Sequence, residues 1–128
     1  MKQKWLDAAQ AVAIAAHGTG RRESFRIGSI LLHPKRGLIT ASTNSYKTHP
    51  FLTRYTKYPH QHAETACILR HGLDNCHGHD LVVARVDKKN RLTMSKPCSV
   101  CMAVIRDVSI RNVWYTDWEG KFECLNVT

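Results

Sequence analysis

Four residues of this chain, His62, Glu64, Cys98 and Cys101, have the types and spacing needed to hold and use a metal ion. They lie in two short strings, H-A-E at 62–64 and P-C-S-V-C at 97–101. One imidazole and two thiolates are three ligands of a tetrahedral zinc site, whereas a structural zinc normally has four protein ligands. Water at the remaining position becomes a nucleophile near neutral pH, and the Glu64 carboxylate can take and return its protons. The two strings therefore predict a catalytic zinc site.

The spacing also indicates where helices begin. If each string opens a helix, Cys98 and Cys101 are three residues apart and share one face of the first turn. A helix N-terminus favours the thiolate over the thiol, and Pro97 suits a helix start. Half of a structural zinc knuckle and a redox pair are the alternatives for C-x-x-C. The chain has no second C-x-x-C, and a redox pair does not explain H-A-E.

Length and composition indicate one globular domain, residues 1–128. The 128 residues are 43% hydrophobic and 23% charged, and no apolar run approaches the ~20 residues of a membrane span. The alanine-rich stretch 8–16 is too short and too interrupted for a signal peptide. Five cysteines, two of them assigned to zinc, fit a reducing compartment. We therefore expect a cytoplasmic protein with no membrane partner.

The chain is strongly basic, with a net charge of +9 and a pI near 9.6. An excess of Lys and Arg attracts phosphate, either on a nucleotide or along a polynucleotide. The charge is scattered, and pairs such as Lys35-Arg36 and Lys88-Lys89 are expected to be solvated loop residues. Basicity favours a phosphorylated substrate without fixing its size.

Hydrophobic periodicity divides the chain into helices and strands. Helices are predicted at Trp5–His17, His62–His71 and Cys98–Val108, and strands at Phe25–His33, Leu38–Thr43, Leu81–Val86, Ile110–Thr116 and Lys121–Val127, with a loop at Asn44–Gln61. The last connection has about four residues, too few for the roughly dozen that a parallel crossover needs. The last two strands should therefore form an antiparallel hairpin in a mixed α/β sheet with helices on both faces.

This order of elements, with H-A-E opening one helix and P-C-x-x-C the next, resembles the cytidine deaminase superfamily. The resemblance implies a three-layer α-β-α fold around a mixed five-stranded sheet, zinc held by His62, Cys98 and Cys101, and a sugar contact by Asn44. H-A-E resembles the deoxycytidylate and tRNA adenosine deaminase branch, and the segments 44–50 and 95–98 resemble small deaminase-like proteins of phage and some eukaryotic viruses. The antiparallel ending is instead similar to free nucleoside deaminases, which are typically homo-oligomers.

The predicted loop 44–61 is expected to set substrate specificity, since it lies next to the metal ligands in the sequence. Its aromatic and basic side chains could stack a base or bind a phosphate, although each aromatic could equally pack the loop onto the body. These side chains are Lys47, His49, Phe51, Arg54, Tyr55, Lys57, Tyr58 and His60. The candidate substrate contacts are Asn44, Lys47, His49, Ser95 and the backbone N–H of Ala63, which is expected to donate to the base carbonyl.

Three functions remain open at this stage. The first is hydrolytic deamination of cytosine in a free (deoxy)cytidine nucleotide or nucleoside, with deoxycytidylate favoured. The second is deamination of cytosine or adenine in single-stranded DNA or RNA. The third is a zinc-bearing binding module without activity, against which the intact Glu64 counts. Cys76-His77-Gly78-His79 could form a second metal site, but a solvated connection is the preferred interpretation.

Overall fold

A computed structural model describes residues 1–18, 25–57 and 60–127. Its helices and strands, in chain order, are α1 (Gln3–Ala15), β1 (Arg26–His33), β2 (Gly37–Thr43), α2 (Ala63–His71), β3 (Asp80–Val86), β4 (Leu92–Thr93), α3 (Ser99–Asp107), β5 (Asn112–Thr116) and β6 (Phe122–Asn126). Short 3-10 helices lie at Pro50–Arg54 and Leu73–Asn75. The predicted helices and the five predicted strands are confirmed, with ends that move by a few residues.

The strands form one mixed sheet in the order β2-β1-β3-β5-β6. β1 is antiparallel to both β2 and β3, whereas β3 and β5 are parallel, with Leu81 opposite Val113. The terminal hairpin is antiparallel as predicted, and Val113 faces Leu125 across it. The two-residue β4, which the sequence did not predict, pairs with β3. Because β3 and β5 are parallel, the connection between them carries α3 across the sheet.

Helices cover both faces of the sheet, which gives the three layers that were expected. Alternate residues of a strand point to opposite faces, so Ile30 and Leu32 of β1 pack with α1, while Leu31 packs with α2 and α3. β3 behaves in the same way, and its buried run serves both cores, as a strand covered on both faces requires. The sheet and the two helices α2 and α3 together fix the ends of the segments that carry H-A-E and P-C-x-x-C.

Two loop predictions need correction. The loop after β2 is not wholly irregular, because it contains the 3-10 helix Pro50–Arg54, whose first turn is capped by the His49 ring. The connection after α2 is not simply solvated, because Cys76 and His79 are both buried.

Among the described residues, no helix is long and apolar enough to span a membrane.

Candidate metal centre

The two chemistry-bearing strings lie at the N-termini of neighbouring helices. His62 immediately precedes α2 and Cys98 immediately precedes α3. The buried Ser29 hydroxyl of β1 donates to the Ala63 carbonyl at 2.6 Å, which ties the first turn of α2 to the sheet. The segment before Cys98 is tied down by Ser95, whose hydroxyl donates to the Val83 carbonyl of β3 at 2.8 Å. The sheet therefore brings the two helix starts to one place.

Three potential metal ligands converge there. One ligand atom from each of His62, Cys98 and Cys101 lies within 4.8 Å of the others, and this is the one such group among the residues that the structure describes. The His62 Nδ1 atom is 3.2 Å from the Cys101 sulfur and 3.7 Å from the Cys98 sulfur. Tetrahedral zinc with bonds of about 2.3 Å to sulfur and about 2.0 Å to nitrogen separates such ligands by roughly 3.5–3.8 Å. The distances from the His62 nitrogen to the two sulfurs are close to this range, so the three side chains are placed to hold zinc.

One sulfur of the cluster is already in the form that binds a metal ion. Hydrogen bonds with the Cys101 thiol and with His62 lower the pKa of Cys98 to about 3, so this sulfur is a thiolate. The hydrogen bond with Cys98 also raises the pKa of His62, and the hydrogen bond with Cys98 together with burial raises the pKa of Cys101. Thiolate is the form of cysteine that binds metals. Cys101 is 1% exposed, whereas His62 and Cys98 are exposed, so one side of the cluster remains accessible.

Glu64 lies beside the cluster in the first turn of α2 and is only 4% exposed. Burial raises the pKa of its carboxyl group, which favours the protonated form. Its Oε1 atom is buried and has no hydrogen-bond partner among the described residues. Buried carboxyl oxygens normally have partners, so this atom suits a donor brought by a metal-associated water or a substrate. The unpartnered Glu64 oxygen therefore lies beside the same three side chains that are suited to bind a metal.

A cavity of about 310 Å³ opens next to His62. Its lining residues are Phe25, Ile27, Asn44, Ser45, Tyr46, His60 and His62. The Asn44 amide is held at its wall, because Oδ1 accepts from the Ile27 N–H at 3.0 Å and Nδ2 donates to the Phe25 carbonyl at 2.8 Å. The volume is at the lower end of the range for small-molecule sites. Such a cavity suits one ligand of about nucleotide size.

The predicted substrate contacts are distributed unevenly around this centre. Ala63 is buried beside Glu64, and its N–H is one of the first helical donors, which have no partner within α2. Lys47 is exposed in the loop, and its backbone carbonyl accepts from the Gln61 N–H at 2.8 Å. His49 uses Nδ1 to accept from the Phe51 N–H. Neither Lys47 nor His49 lines the cavity of about 310 Å³.

The structure does not bring Ser95 to the cavity. Its hydroxyl donates to the Val83 carbonyl at 2.8 Å and accepts from the Thr116 backbone N–H at 2.7 Å. The Thr116 hydroxyl lies 2.8 Å from the Ser95 oxygen, and it also lies 2.5 Å from the Thr93 carbonyl, to which it can donate its one proton. Ser95 therefore joins β3 to β5, and its proton and one of its acceptor positions are used within the fold.

Two cavity residues, Phe25 and Ile27, were missed by the sequence interpretation, which placed the substrate contacts in the loop 44–61, at Ala63 and at Ser95. The strand pattern contained a signal, since Ile27 belongs to the strand that pairs with the end of β2, where Asn44 follows. The loop is also fastened at a distance from the cavity, because the Tyr55 hydroxyl donates to the Asp107 carboxylate of α3 at 2.6 Å. Tyr58, another predicted loop contact, lies outside the described residues.

The chain matches one family model and is similar to solved structures of two deaminases. The family model described as "Cytidine and deoxycytidylate deaminase zinc-binding region" matches residues 1–117. No curated protein sequence matches the chain. Among solved structures, the chain is similar to the apo dCMP deaminase from the cyanophage S-TIM5, with a TM-score of 0.64 and 15% identity over 91% of this chain and 86% of that one. It is also similar to cytidine deaminase from Burkholderia pseudomallei, with a TM-score of 0.65 and 15% identity over 99% and 93% of the two chains.

Proposed function

The chain belongs to the cytidine and deoxycytidylate deaminase family of zinc-dependent hydrolytic deaminases, and from this premise we propose that it converts cytosine to uracil in a free (deoxy)cytidine nucleotide or nucleoside, with deoxycytidylate favoured. One observation carries the proposal. The cluster of His62, Cys98 and Cys101 lies against a buried carboxyl oxygen of Glu64 that has no partner among the described residues. Hydrolytic deamination needs a carboxylate beside the metal to move protons between the attacking water and the base, and this oxygen is suited to that role.

His62, Cys98 and Cys101 are the residues that would hold the metal. When bound, zinc supplies Lewis-acid chemistry, lowering the pKa of water so that hydroxide is available near neutral pH. Glu64 accepts the proton of the attacking water at Oε1 and delivers it to N3 of the cytosine ring. It then takes the second proton from the hydroxyl that is now bonded to C4 and delivers it to the amino group, so the C4–N bond breaks, ammonia leaves and the C4 carbonyl forms. The raised pKa of Glu64 favours the second half of this cycle, in which the carboxyl group must carry a proton.

Two further groups orient the base in this scheme. The Ala63 N–H donates to the base carbonyl at C2 from the start of α2, where the helix leaves donors without intrahelical partners. Asn44, held at the cavity wall by its hydrogen bonds with the Phe25 carbonyl and the Ile27 N–H, contacts the sugar. Both groups are fixed by backbone elements, so the base is presented to Glu64 in one orientation.

A free nucleotide is favoured over a polynucleotide by the size and lining of the cavity. About 310 Å³ bounded by Phe25, Ile27 and Tyr46 suits a single nucleoside whose base and sugar are largely enclosed. Lys47 and His49 lie outside the cavity lining but follow the cavity residue Tyr46 in the chain, and we assign their side chains to a single phosphate at the cavity mouth. A phosphate at this position distinguishes deoxycytidylate from deoxycytidine by charge-assisted hydrogen bonds.

The test is to incubate the zinc-loaded protein with deoxycytidine, its monophosphate, its triphosphate and a cytosine-containing single-stranded oligonucleotide, and to quantify the uracil products by chromatography. We expect the monophosphate to have the highest kcat/KM. Activity on the oligonucleotide alone would contradict the proposal and favour the polynucleotide alternative.

Glu64→Gln separates the proton-transfer role from metal binding. We expect this variant to keep its zinc and to lose about 10²–10⁴-fold in kcat, the usual contribution of a general acid and base. Glu119→Gln is the matched control, because Glu119 lies in the terminal turn with 78% of its side chain exposed, and its kcat should stay within about twofold. Full turnover by Glu64→Gln would remove Glu64 from the mechanism.

A further inference from the structure

A second cavity, of about 370 Å³, lies at the other end of β1 from the metal centre. It forms where the turn between β1 and β2 meets the start of α1, and four of its lining residues are basic: Lys2, Lys4, Lys35 and Arg36. The pair Lys35-Arg36 was expected to be merely solvated, but the fold brings the start of α1 to it. Four cations around one concave surface attract anions strongly.

The positive charge of this basic cavity is not neutralised by its neighbours. Asp80 is the one acidic residue in its lining, and the Arg111 guanidinium already holds that carboxylate through contacts of 2.8 and 3.2 Å. Asn112 also donates to Asp80 at 3.2 Å. Within the described ranges, no carboxylate forms an ion pair with any of the four basic side chains. The cavity therefore keeps its charge available for a ligand.

The turn that carries Lys35 and Arg36 is held in a defined shape. The His33 Nδ1 atom accepts from the Lys35 and Arg36 backbone N–H groups at 3.0 and 3.1 Å. Gly37 has φ +83, and a Cβ at that position would lie 3.1 Å from the Trp5 ring, so the turn also packs closely on α1. Burial, and then the charges of His79, Arg36, Lys35 and His71, lower the pKa of His33. A fixed turn reduces the entropy that its cations lose when an anion binds.

We propose that the basic cavity binds phosphate groups, either of a nucleotide polyphosphate or of a single-stranded nucleic acid. Ile27 lines the cavity at the metal centre and His33 lines the basic one. The six residue-to-residue steps from Ile27 to His33 span about 20 Å at ~3.3 Å per step. A nucleotide whose base lies at His62 does not place its own phosphate there, so the ligand is a second molecule or a distant part of a polymer. This inference goes beyond the proposed function and does not rest on it.

The experiment uses probes that carry phosphate but no cytosine. Tripolyphosphate and an oligothymidylate of ten nucleotides are titrated into the zinc-loaded protein by calorimetry at low salt. Lys35→Glu/Arg36→Glu is compared with Lys88→Glu/Lys89→Glu, a dibasic pair in the exposed turn after β3 that has the same effect on net charge. Zinc content and thermal unfolding verify that both variants fold, and Lys35→Gln/Arg36→Gln replaces the first if it does not.

We expect the variant at 35 and 36 to bind at least about tenfold more weakly, since each charge-assisted contact to phosphate is strong. The variant at 88 and 89 should change by less than about threefold. NMR titration should show that the bound anion raises the pKa of His33, because a nearby negative charge favours the imidazolium. Specific loss with tripolyphosphate identifies a nucleotide polyphosphate as the source, and specific loss with oligothymidylate alone identifies a polynucleotide. Equal loss in both variants, or no binding of either probe, overturns the proposal.

Discussion

Removing the Ser95 hydroxyl tests whether this residue acts in the fold or at the substrate. Ser95→Ala leaves the Thr116 N–H without a partner in a residue that is completely buried, and takes the hydroxyl donor from the Val83 carbonyl. An unsatisfied buried group costs about 1–3 kcal/mol and a lost hydrogen bond about 1 kcal/mol, so we expect about 2–4 kcal/mol less unfolding free energy. With an unfolding entropy of about 0.27 kcal/mol/K for a chain of this size, Tm should fall by roughly 7–15 °C.

The assay is urea and thermal unfolding at constant zinc, with KM for the deaminated substrate measured well below Tm. Ser42→Ala is the matched control, because Ser42 is also 6% exposed. Its hydroxyl has no hydrogen-bond partner among the described residues, and it lies near Cys67, a thiol whose pKa is raised by burial. We expect the control to change by less than about 0.5 kcal/mol. A stable Ser95→Ala protein with a raised KM would refute the structural role and restore the substrate contact predicted from the sequence.

Two further predictions concern the layers and the loop around the site. Gly28→Ala places a Cβ 2.4 Å from the Ala13 nitrogen of α1, so α1 must move, and the free energy of unfolding should fall by about 1–3 kcal/mol. Gly78→Ala is the control, because a Cβ at position 78 meets no atom within 4 Å. It should lower the free energy of unfolding by only about 1 kcal/mol, the cost of backbone strain at φ +73. Tyr55 donates to Asp107, and this hydrogen bond raises the pKa of the phenol, so its stabilisation is present below pH 10 and lost as the pH rises through the raised pKa. The urea midpoint of the wild-type protein should therefore fall between pH 8 and a pH above 10, and it should fall less in Tyr55→Phe. An equal fall in the two proteins would contradict the hydrogen bond.

The metal ligands and the fold class could be predicted because their signals are local. Two helix starts are indicated by local features, which are the three-residue spacing of Cys98 and Cys101 and the position of His62 before a helical segment. The terminal hairpin followed from the length of its connection, and β3 from a continuous apolar run. These features depend on residues that are close in the chain, so a single sequence displays them.

The roles of Ser95, His49 and Lys35 could not be predicted because they depend on contacts between distant segments. The partners of the Ser95 hydroxyl are 12 and 21 residues away in the chain, and no local pattern identifies them. The His49 ring caps a 3-10 helix, which has no clear hydrophobic periodicity. Lys35 becomes part of a basic cavity only when α1 packs against the β1–β2 turn. The two-residue β4 is too short to show the alternation of a strand.

The most direct test of the account is the zinc K-edge absorption spectrum of the purified protein. Ligation by His62, Cys98 and Cys101 predicts one zinc per chain with two sulfur neighbours at about 2.3 Å and two lighter neighbours at about 2.0–2.2 Å. The two sulfur neighbours should disappear in Cys98→Ala/Cys101→Ala. Protein without tightly bound zinc, or zinc surrounded by four sulfurs or by none, would contradict the assignment of these residues as the metal centre.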